Sequence, residues 1–405
     1  MKILHTSDWH LGQKFLFNDR EEEHRLALDW LLQTIKDQSV EGLIVAGDVF
    51  DIGNPPHAAR RLYYHFLTKL IQTSCRQVVI IGGNHDSPAM LNAPKDLLAT
   101  LNIHVVGAAT ENIEEEVIEW KDQQGNLKAV VAAVPFLRDG DLRFSMAGES
   151  GYERVERIRE AILKHYQTLA SAVERYKKQG VPVLATGHLY VKGAFASDRQ
   201  NNIYIGDTEN IEAAQFPEVF DYIALGHIHR AQLVAGKHHI RYAGSLIPLS
   251  FSETKDDKSV YLINFEGNTL KSVETLPLPT FRRLKTIEGT LPDVEDSLQR
   301  FVAKGERGLR PWIEIIVHTD QLIPQLDLYL KDFTKHMDLE LLKINLQYYH
   351  QALDTQSQEA DLINFDVLEV FRKKCESYGN PPDNQAEIEA TFLELKEWME
   401  TTNEN

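Results

Sequence analysis

Over the first 110 residues, short apolar runs alternate with longer stretches of helical spacing. Lys2–Thr6 predicts a strand. Glu21–Gln38 predicts a helix, because Leu26, Trp30, Leu31 and Ile35 recur on one face at the helical period. Gly42–Ala46 then predicts a buried strand, Ala58–Thr73 a helix, Gln77–Ile81 a strand and Lys95–Leu101 a helix. Such alternation indicates an α/β layered domain. A hairpin is expected next, with Glu116–Trp120 and Lys128–Pro135 joined by a polar turn at Gly125-Asn126. Tyr152–Gln179 has the spacing of a long amphipathic helix, stopped by Gly180 and Pro182. Strands return at Val183–Thr186, Tyr222–Leu225, Ile240–Ala243 and Ser259–Phe265. A Gly267-Asn268 turn leads to another at Leu270–Thr275.

Leu276-Pro-Leu-Pro279 reads as a stiff connector, since proline locks φ and removes a donor. Beyond it, Arg283–Glu288, Asp293–Ala303, Trp312–His318, Pro324–His336 and Glu340–Tyr349 give strand, helix, strand, helix, strand, a small α+β module. A polar stretch, Asp354–Ala360, precedes two acidic amphipathic helices, Phe365–Tyr378 and Gln385–Thr401, broken at Gly379-Asn-Pro-Pro382. There is no internal repeat.

Composition narrows the class. With 405 residues, one large domain with smaller additions is expected. No run of about 18 apolar residues is present, so no membrane span is expected. The start, MKILHTSD, enters a strand directly and lacks the form of a signal peptide. Cys75 and Cys375 form no ligand spacing or disulfide framework, so a reducing cytoplasm is the simplest location. The formal net charge of −17 argues against tight, sequence-independent nucleic-acid binding by this chain alone. More than half of that excess sits in the last 55 residues, where 13 acidic and 4 basic residues give −9. The remainder is compatible with an active site directed at DNA, because metal-ligating aspartates are neutralised by their cations.

Five segments place metal-ligand residue types where strands should end: Asp8-Trp-His10, Gly47-Asp48, Gly83-Asn-His-Asp86, Gly187-His188 and Gly226-His-Ile-His229. Ligand sites of open α/β sheets lie beyond the carboxyl ends of strands, so these segments can converge. In four of them a glycine precedes the candidate ligand and allows a sharp, close-approaching turn. Taken singly, a His or Asp beside Gly is usually a turn residue or a satisfied core group. The ordered set is different, because its combined polar load would be costly to bury without a metal. Imidazole, carboxylate and amide oxygen together suit Mn, Fe, Zn or Co better than Ca or Mg.

The order D-x-H, G-D, G-N-H-D, G-H, G-H-x-H resembles the calcineurin-like metallophosphoesterases. The longer strings HTSDWHLGQKF, VAGDVFD, GGNHDS, ATGHLYV, YIALGHIHRAQ and YAGSLIPLSFSE resemble the SbcD nucleases within them. The resemblance implies a layered β-sandwich metallophosphoesterase domain flanked by helices over residues 1–278. An α+β capping domain over 279–350 and a linker with two helices over 351–405 would follow. It implies two divalent metals, Mn2+ foremost, bridged by Asp48. One would also be held by Asp8, His10 and His229, the other by Asn84, His188 and His227. Together they would acidify a water for attack on the phosphodiester. His85 is implied as catalytic, stabilising the transition state or protonating the leaving oxygen. Asp86 either orients His85 or serves the turn. Asp51 stands where some archaeal relatives place a second catalytic histidine, and it is either an outer-sphere acceptor or a loop cap. Arg230 faces a phosphate or a surface carboxylate. Arg138, Arg143, Lys192 and Arg199 are candidate DNA contacts or plain solvated residues.

The same resemblance implies Mn-dependent 3′ to 5′ exonuclease action on duplex ends and endonuclease action at hairpins or blocked ends. It also implies an SbcC/Rad50-type ATPase partner, because this chain has no G-x-x-x-x-G-K-[ST] loop. The stripes Phe365, Leu368, Val370, Phe371 and Ile388, Phe392, Leu395, Trp398 suit docking on that partner through residues 355–405. Helices 58–73 and 95–101, rich in Leu62, Tyr63, Phe66, Leu67, Leu70, Leu97, Leu98 and Leu101, are expected either to form a homodimer or simply to cover the sheet. A small-molecule phosphatase or cyclic-nucleotide phosphodiesterase is the alternative enzyme class, and a non-catalytic scaffold the alternative outside enzymes.

Overall fold

The computed structural model describes residues 1–138, 140–141, 151–194, 211–303, 308–321, 323–348, 388 and 391–392. The chain divides into two units, Met1–Tyr348 and Tyr349–Asn405. Both acidic helices expected at the C-terminus lie outside the described residues, apart from helical positions at Ile388, Thr391 and Phe392.

Two six-stranded sheets form the centre of the first unit. The first runs in the order Thr269–Pro277, Ser259–Glu266, Lys2–Thr6, Gly42–Ala46, Gln77–Ile81, Ile103–Val106. Its last four strands are parallel, and the two nearest the Thr269 edge are antiparallel additions. The second runs Gln232–Val234, Lys237–Tyr242, Tyr222–Gly226, Val183–His188, Leu127–Ala132, Val117–Lys121, with its four middle strands parallel.

The apolar runs are continuous because alternate residues serve different cores. Ile3, Ile44, Val79 and Ile81 meet Val131, Leu184, Tyr222 and Ala224 between the sheets. Leu4, Leu43, Val45 and Val78 face outward against helices Glu21–Asp37 and His57–Leu70. On the other side, Val130, Val183, Ile223 and Leu225 pack under the long helix Gly151–Lys178. The result is helix, sheet, sheet, helix.

The helix expected over Ala58–Thr73 runs His57–Leu70, and that over Lys95–Leu101 stops at Ala99. Of the apolar residues singled out there, Leu62, Tyr63, Phe66, Leu67, Leu70 and Leu98 are buried in the chain's own core. Leu97 and Leu101 stay exposed, at 69% and 44%. Several elements had no clear signal in the pattern, among them the helix Pro88–Asn92, the strands Ile103–Val106 and Gln232–Val234, the short pair Val191–Lys192/Ile211–Glu212 and the small hairpin Lys14–Phe15/Asn18–Asp19. The expected connector is shorter than Leu276–Pro279, because Leu276 and Pro277 finish the edge strand Thr269–Pro277. A proline is tolerated at that edge, where its missing N–H breaks no ladder.

Residues 282–348 form a parallel sheet of Arg282–Gly289, Leu309–Thr319 and Glu340–Tyr348, linked by helices Leu291–Ala303 and Leu326–Thr334. These are two βαβ units, a more regular arrangement than the α+β pattern expected, since each helix returns the chain to a parallel neighbour. Val294, Leu298 and Leu330 pack on Ile313, Ile315 and Val317. The module seats on the first domain through a cluster of Phe15, Phe251, Leu284 and Trp312. No helix among the described residues is long and apolar enough to cross a membrane.

Candidate metal centre

All five motif segments end parallel strands. Asp8 and His10 follow Lys2–Thr6, Asp48 follows Gly42–Ala46, and Asn84 and His85 follow Gln77–Ile81, all from the first sheet. His188 closes Val183–His188, and His227 and His229 follow Tyr222–Gly226, from the second. The carboxyl ends of the two sheets lie side by side, so the seven candidate ligands meet across the sandwich rather than along one sheet.

The backbone there is strained. Asp8, His10, Asp48 and His227 all have positive φ, at 50°, 46°, 48° and 102°. Each such conformation costs about 1–3 kcal/mol and survives only where its surroundings enforce it. Here Asp8 N–H donates to the Gly47 carbonyl at 3.0 Å, His10 N–H to the Asp48 carbonyl at 3.0 Å, and His227 N–H to Asp8 Oδ1 at 2.9 Å. Two glycines permit the crowding. A Cβ at Gly83 would lie 2.1 Å from Asp48 Oδ1, and one at Gly226 would lie 1.9 Å from the Ala46 carbonyl oxygen.

Asp48 Oδ2 stands between two imidazoles, 3.5 Å from His10 Nε2 and 3.2 Å from His188 Nε2. On the His188 side the donor atoms are tight. His188 Nε2 and His227 Nδ1 lie 3.0 and 2.9 Å from Asn84 Oδ1, and 3.3 Å from each other. Donors held roughly 2.0–2.1 Å from one ion sit about 3.0–3.4 Å apart, so these hydrogen-bonded atoms are also spaced to share an ion. On the other side, Asp8, His10 and His229 present donor atoms within 4.8 Å of one another.

Outer partners set the ring orientations. His188 Nδ1–H donates to the Ala46 carbonyl at 2.9 Å, His10 Nδ1–H to Asp51 Oδ1 at 3.0 Å, and His229 Nδ1–H to Glu253 Oε1 at 3.2 Å. Each leaves Nε2 for the centre, and the buried His10 Nε2 has no hydrogen-bond partner. Burial opposes a charge on His10 and His188, yet the carboxylates outweigh it. Asp51 and Asp48 hold His10 up at about 9, and Asp48 holds His188 up at about 9. Burial likewise opposes ionisation of Asp48, but His188 and His10 hold its carboxyl well below the usual range. Burial and neighbouring His188 hold His227 well below the ordinary imidazole value. Protons on His10 and His188 therefore occupy places that a divalent cation would take. The donor set fits metal ions.

Residues 1–231 match the family of calcineurin-like phosphoesterases, and residues 280–378 match the Type 5 capsule protein repressor C-terminal domain. The chain is 40% identical over 377 residues to the SbcD component of nuclease SbcCD from Escherichia coli strain K12, covering 92% of each. It is 31% identical to the SbcD component from Rhodobacter capsulatus, covering 89% of this chain and 91% of the relative. With that of Bacillus subtilis it shares 34%, covering 65% and 66%. The chain belongs to the SbcD branch of the calcineurin-like phosphoesterases. Membership in this metallophosphoesterase family implies divalent metal ions and hydrolysis of phosphodiester bonds.

Around the SbcD-type motifs, the structure shows what several of the other candidate side chains contact. The hydrogen bonds of the Asp86 carboxylate go to backbone N–H groups, those of Val49, Phe50 and Gly83, tying the Asp48 loop to the Asn84 turn. His85 donates from Nδ1 to the Asp51 carbonyl at 2.7 Å, and its exposed ring stands 4.8 Å from that of His10. Asp51 serves both histidines, one through its side chain and one through its backbone. Arg230 pairs with Asp256 at 3.3 Å, and Lys192 with Glu212 at 3.4 Å. Arg138 holds the carbonyls of Gly83 and Asp86 at 3.1 and 2.7 Å, a buttress of the turn. Arg143 and Arg199 lie outside the described residues.

Two supporting residues were not among the candidates read from the sequence. Glu253 orients His229, and Lys258 holds Glu253 at 2.6 Å and the His229 carbonyl at 2.9 Å. Glu253 is the last residue of YAGSLIPLSFSE. A signal was present, but nothing in one dimension linked it to His229.

Proposed function

We propose that this chain is the nuclease subunit of an SbcCD-type complex, hydrolysing DNA phosphodiesters with two divalent ions, Mn2+ foremost. The observation that carries the reading is the position of Asp48 Oδ2, facing His10 Nε2 and His188 Nε2 together. One ion is assigned to Asp8, His10 and His229, the other to Asn84, His188 and His227, with Asp48 shared. When bound, such a pair supplies an acidified water and neutralises charge building on the phosphate. The protein's part is to hold the donors at fixed spacing and to manage a proton. His85 does the latter. Its Nδ1 is tied to the Asp51 carbonyl, so Nε2 is the nitrogen that gives a proton to the leaving sugar oxygen.

In this reading residues 1–278 carry the chemistry, 279–350 cap the site, and 351–405 bind the SbcC/Rad50-type ATPase. Cutting runs 3′ to 5′ from duplex ends and also opens hairpins and blocked ends, in the cytoplasm. A homodimer would use the exposed Leu97 and Leu101, since the neighbouring apolar residues are spent on the core. The test is cleavage of end-labelled duplex and hairpin DNA by the purified chain with Mn2+, alone and with its ATPase. Metal-dependent cutting that His85→Gln abolishes, with Mn2+ binding retained, is the expected result. No DNA cutting with the partner present, together with turnover of a small phosphodiester, would replace this reading by the small-substrate phosphodiesterase.

A further inference from the structure

The contact between the capping module and the first domain contains a buried ionic joint. Glu23, only 1% exposed, accepts from Arg20 Nε at 3.2 Å and from Arg282 Nε of the module at 2.9 Å. The Arg282 guanidinium lies 4.2 Å over the ring of Trp312, which stacks on Phe15 of the first domain at 5.5 Å. An Arg–Glu–Arg group built on a buried carboxylate is costly to desolvate, and apolar packing in its place is often as stable. What the joint does fix is the place of Arg282 beside Glu23 and Arg20.

From Arg20 the contacts continue toward the metal centre. Its Nη1 donates to the Pro248 carbonyl at 2.6 Å and to Gln13 Oε1 at 2.9 Å. Gln13 donates from its backbone to the His10 carbonyl at 3.0 Å and from its side chain to the Leu249 carbonyl at 3.1 Å. Leu249 N–H in turn donates to Glu253 Oε2 at 3.1 Å, and Glu253 Oε1 holds His229 Nδ1 at 3.2 Å. The joint therefore reaches the segments that carry His10 and His229. The other donors are supported elsewhere: His188 by the Ala46 carbonyl, and the Asn84 turn by Asp86 and Arg138.

We propose that Arg282 is a positioning residue: by seating the capping module on Glu23 and Arg20, it tunes the Asp8/His10/His229 metal position selectively. Module seating and occupancy of one of the two metal positions are thereby coupled, and this inference rests on the two-metal reading above. Coupling of this kind is reciprocal, so an ion at that position also tightens the seat of the module.

The test is titration of Mn2+ into the metal-free full chain, followed by calorimetry and by the electron paramagnetic resonance signal of free Mn2+. The native chain should hold two ions. Glu253→Gln, which disturbs the partner of His229 directly, marks the affected position and should weaken it roughly 10–100-fold. Arg282→Ala should weaken the same position roughly 2–30-fold and leave the other unchanged. The double variant should lose less than the product of the two. Arg25→Ala, an exposed arginine on the helix that carries Glu23, should change neither. Arg282→Lys keeps the charge beside Glu23 but lacks the stacking plane. It should show the same selective change in smaller measure, and it serves if Arg282→Ala fails to fold by circular dichroism. Two native sites with equal, or equally weakened, affinities in the folded Arg282 variants would overturn the coupling alone. A native chain that bound no Mn2+ would overturn the two-metal reading and the coupling together.

Discussion

Replacing Lys258 by methionine should destabilise the chain by about 3–5 kcal/mol at neutral pH, the usual result of breaking one half of a buried ion pair. The Lys258 and Glu253 side chains are 7% and 4% exposed, and every proton of the ammonium has a partner: Glu253 Oε2 at 2.6 Å, the His229 carbonyl at 2.9 Å and Ser245 Oγ at 2.9 Å. Methionine fills similar space and offers none of these bonds. A second line gives a similar magnitude. Burial alone would raise the Glu253 pKa, but Lys258 and His229 overcome it and hold the carboxyl at about 2, against an ordinary 4.5. At 1.36 kcal/mol per pKa unit, that depression is worth about 3 kcal/mol. The sign follows from linkage. A depressed carboxylate stabilises the fold above its unfolded pKa, and the contribution fades as pH falls from 4.5 toward 2.

Thermal unfolding of the metal-free chain should therefore show Lys258→Met falling below the parent by roughly 5–15 °C at pH 7–8, with the gap closing toward pH 3. Adding Glu253→Gln should restore at least half of the loss, because replacing both partners removes the stranded charge. A loss below about 1 kcal/mol, or one that stays constant from pH 8 to pH 3, would refute the assignment of this pair as the anchor of His229.

Further outcomes can be checked in the same preparations. Gly83→Ala should abolish metal binding, because its Cβ would lie 2.1 Å from Asp48 Oδ1. Gly125→Ala, at φ 83° with nothing within 4 Å, should cost only about 1 kcal/mol of backbone strain. Metal uptake should release protons and tighten as pH rises from 6.5 toward 9, since His10 and His188 are both held up at about 9 in the metal-free chain. Calorimetry in buffers of different ionisation enthalpy would expose the release, and an affinity flat across that range would contradict it. Deleting residues from 355 onward should abolish capture by the partner ATPase while leaving Mn2+ binding unchanged. Retained capture would place the docking surface elsewhere.

Apolar run length, helical spacing and glycine placement sufficed to anticipate most strands, the long helices and the five segments that now end strands at the centre. Those features are local: a buried strand needs consecutive apolar residues, and a sharp turn into a ligand needs glycine. The same local logic could not separate a helix covering its own sheet from one reserved for a partner. Leu62, Tyr63 and Phe66 read alike with Leu97 and Leu101, and only packing decided that the former are core. The allotment of strands to two sheets was equally invisible, because strand pairing joins residues far apart in the chain. So were the roles of Asp51, Asp86 and Glu253, each fixed by which N–H comes within about 3 Å of a carboxyl or carbonyl oxygen. His229 and Glu253 are 24 residues apart in sequence, and Glu23 and Arg282 are 259 apart. Residue order was enough to say which side chains carry metal-ligand chemistry and that strands would deliver them. Which carboxylate steadies which histidine had to wait for the folded chain, because those contacts depend on distances that folding alone defines.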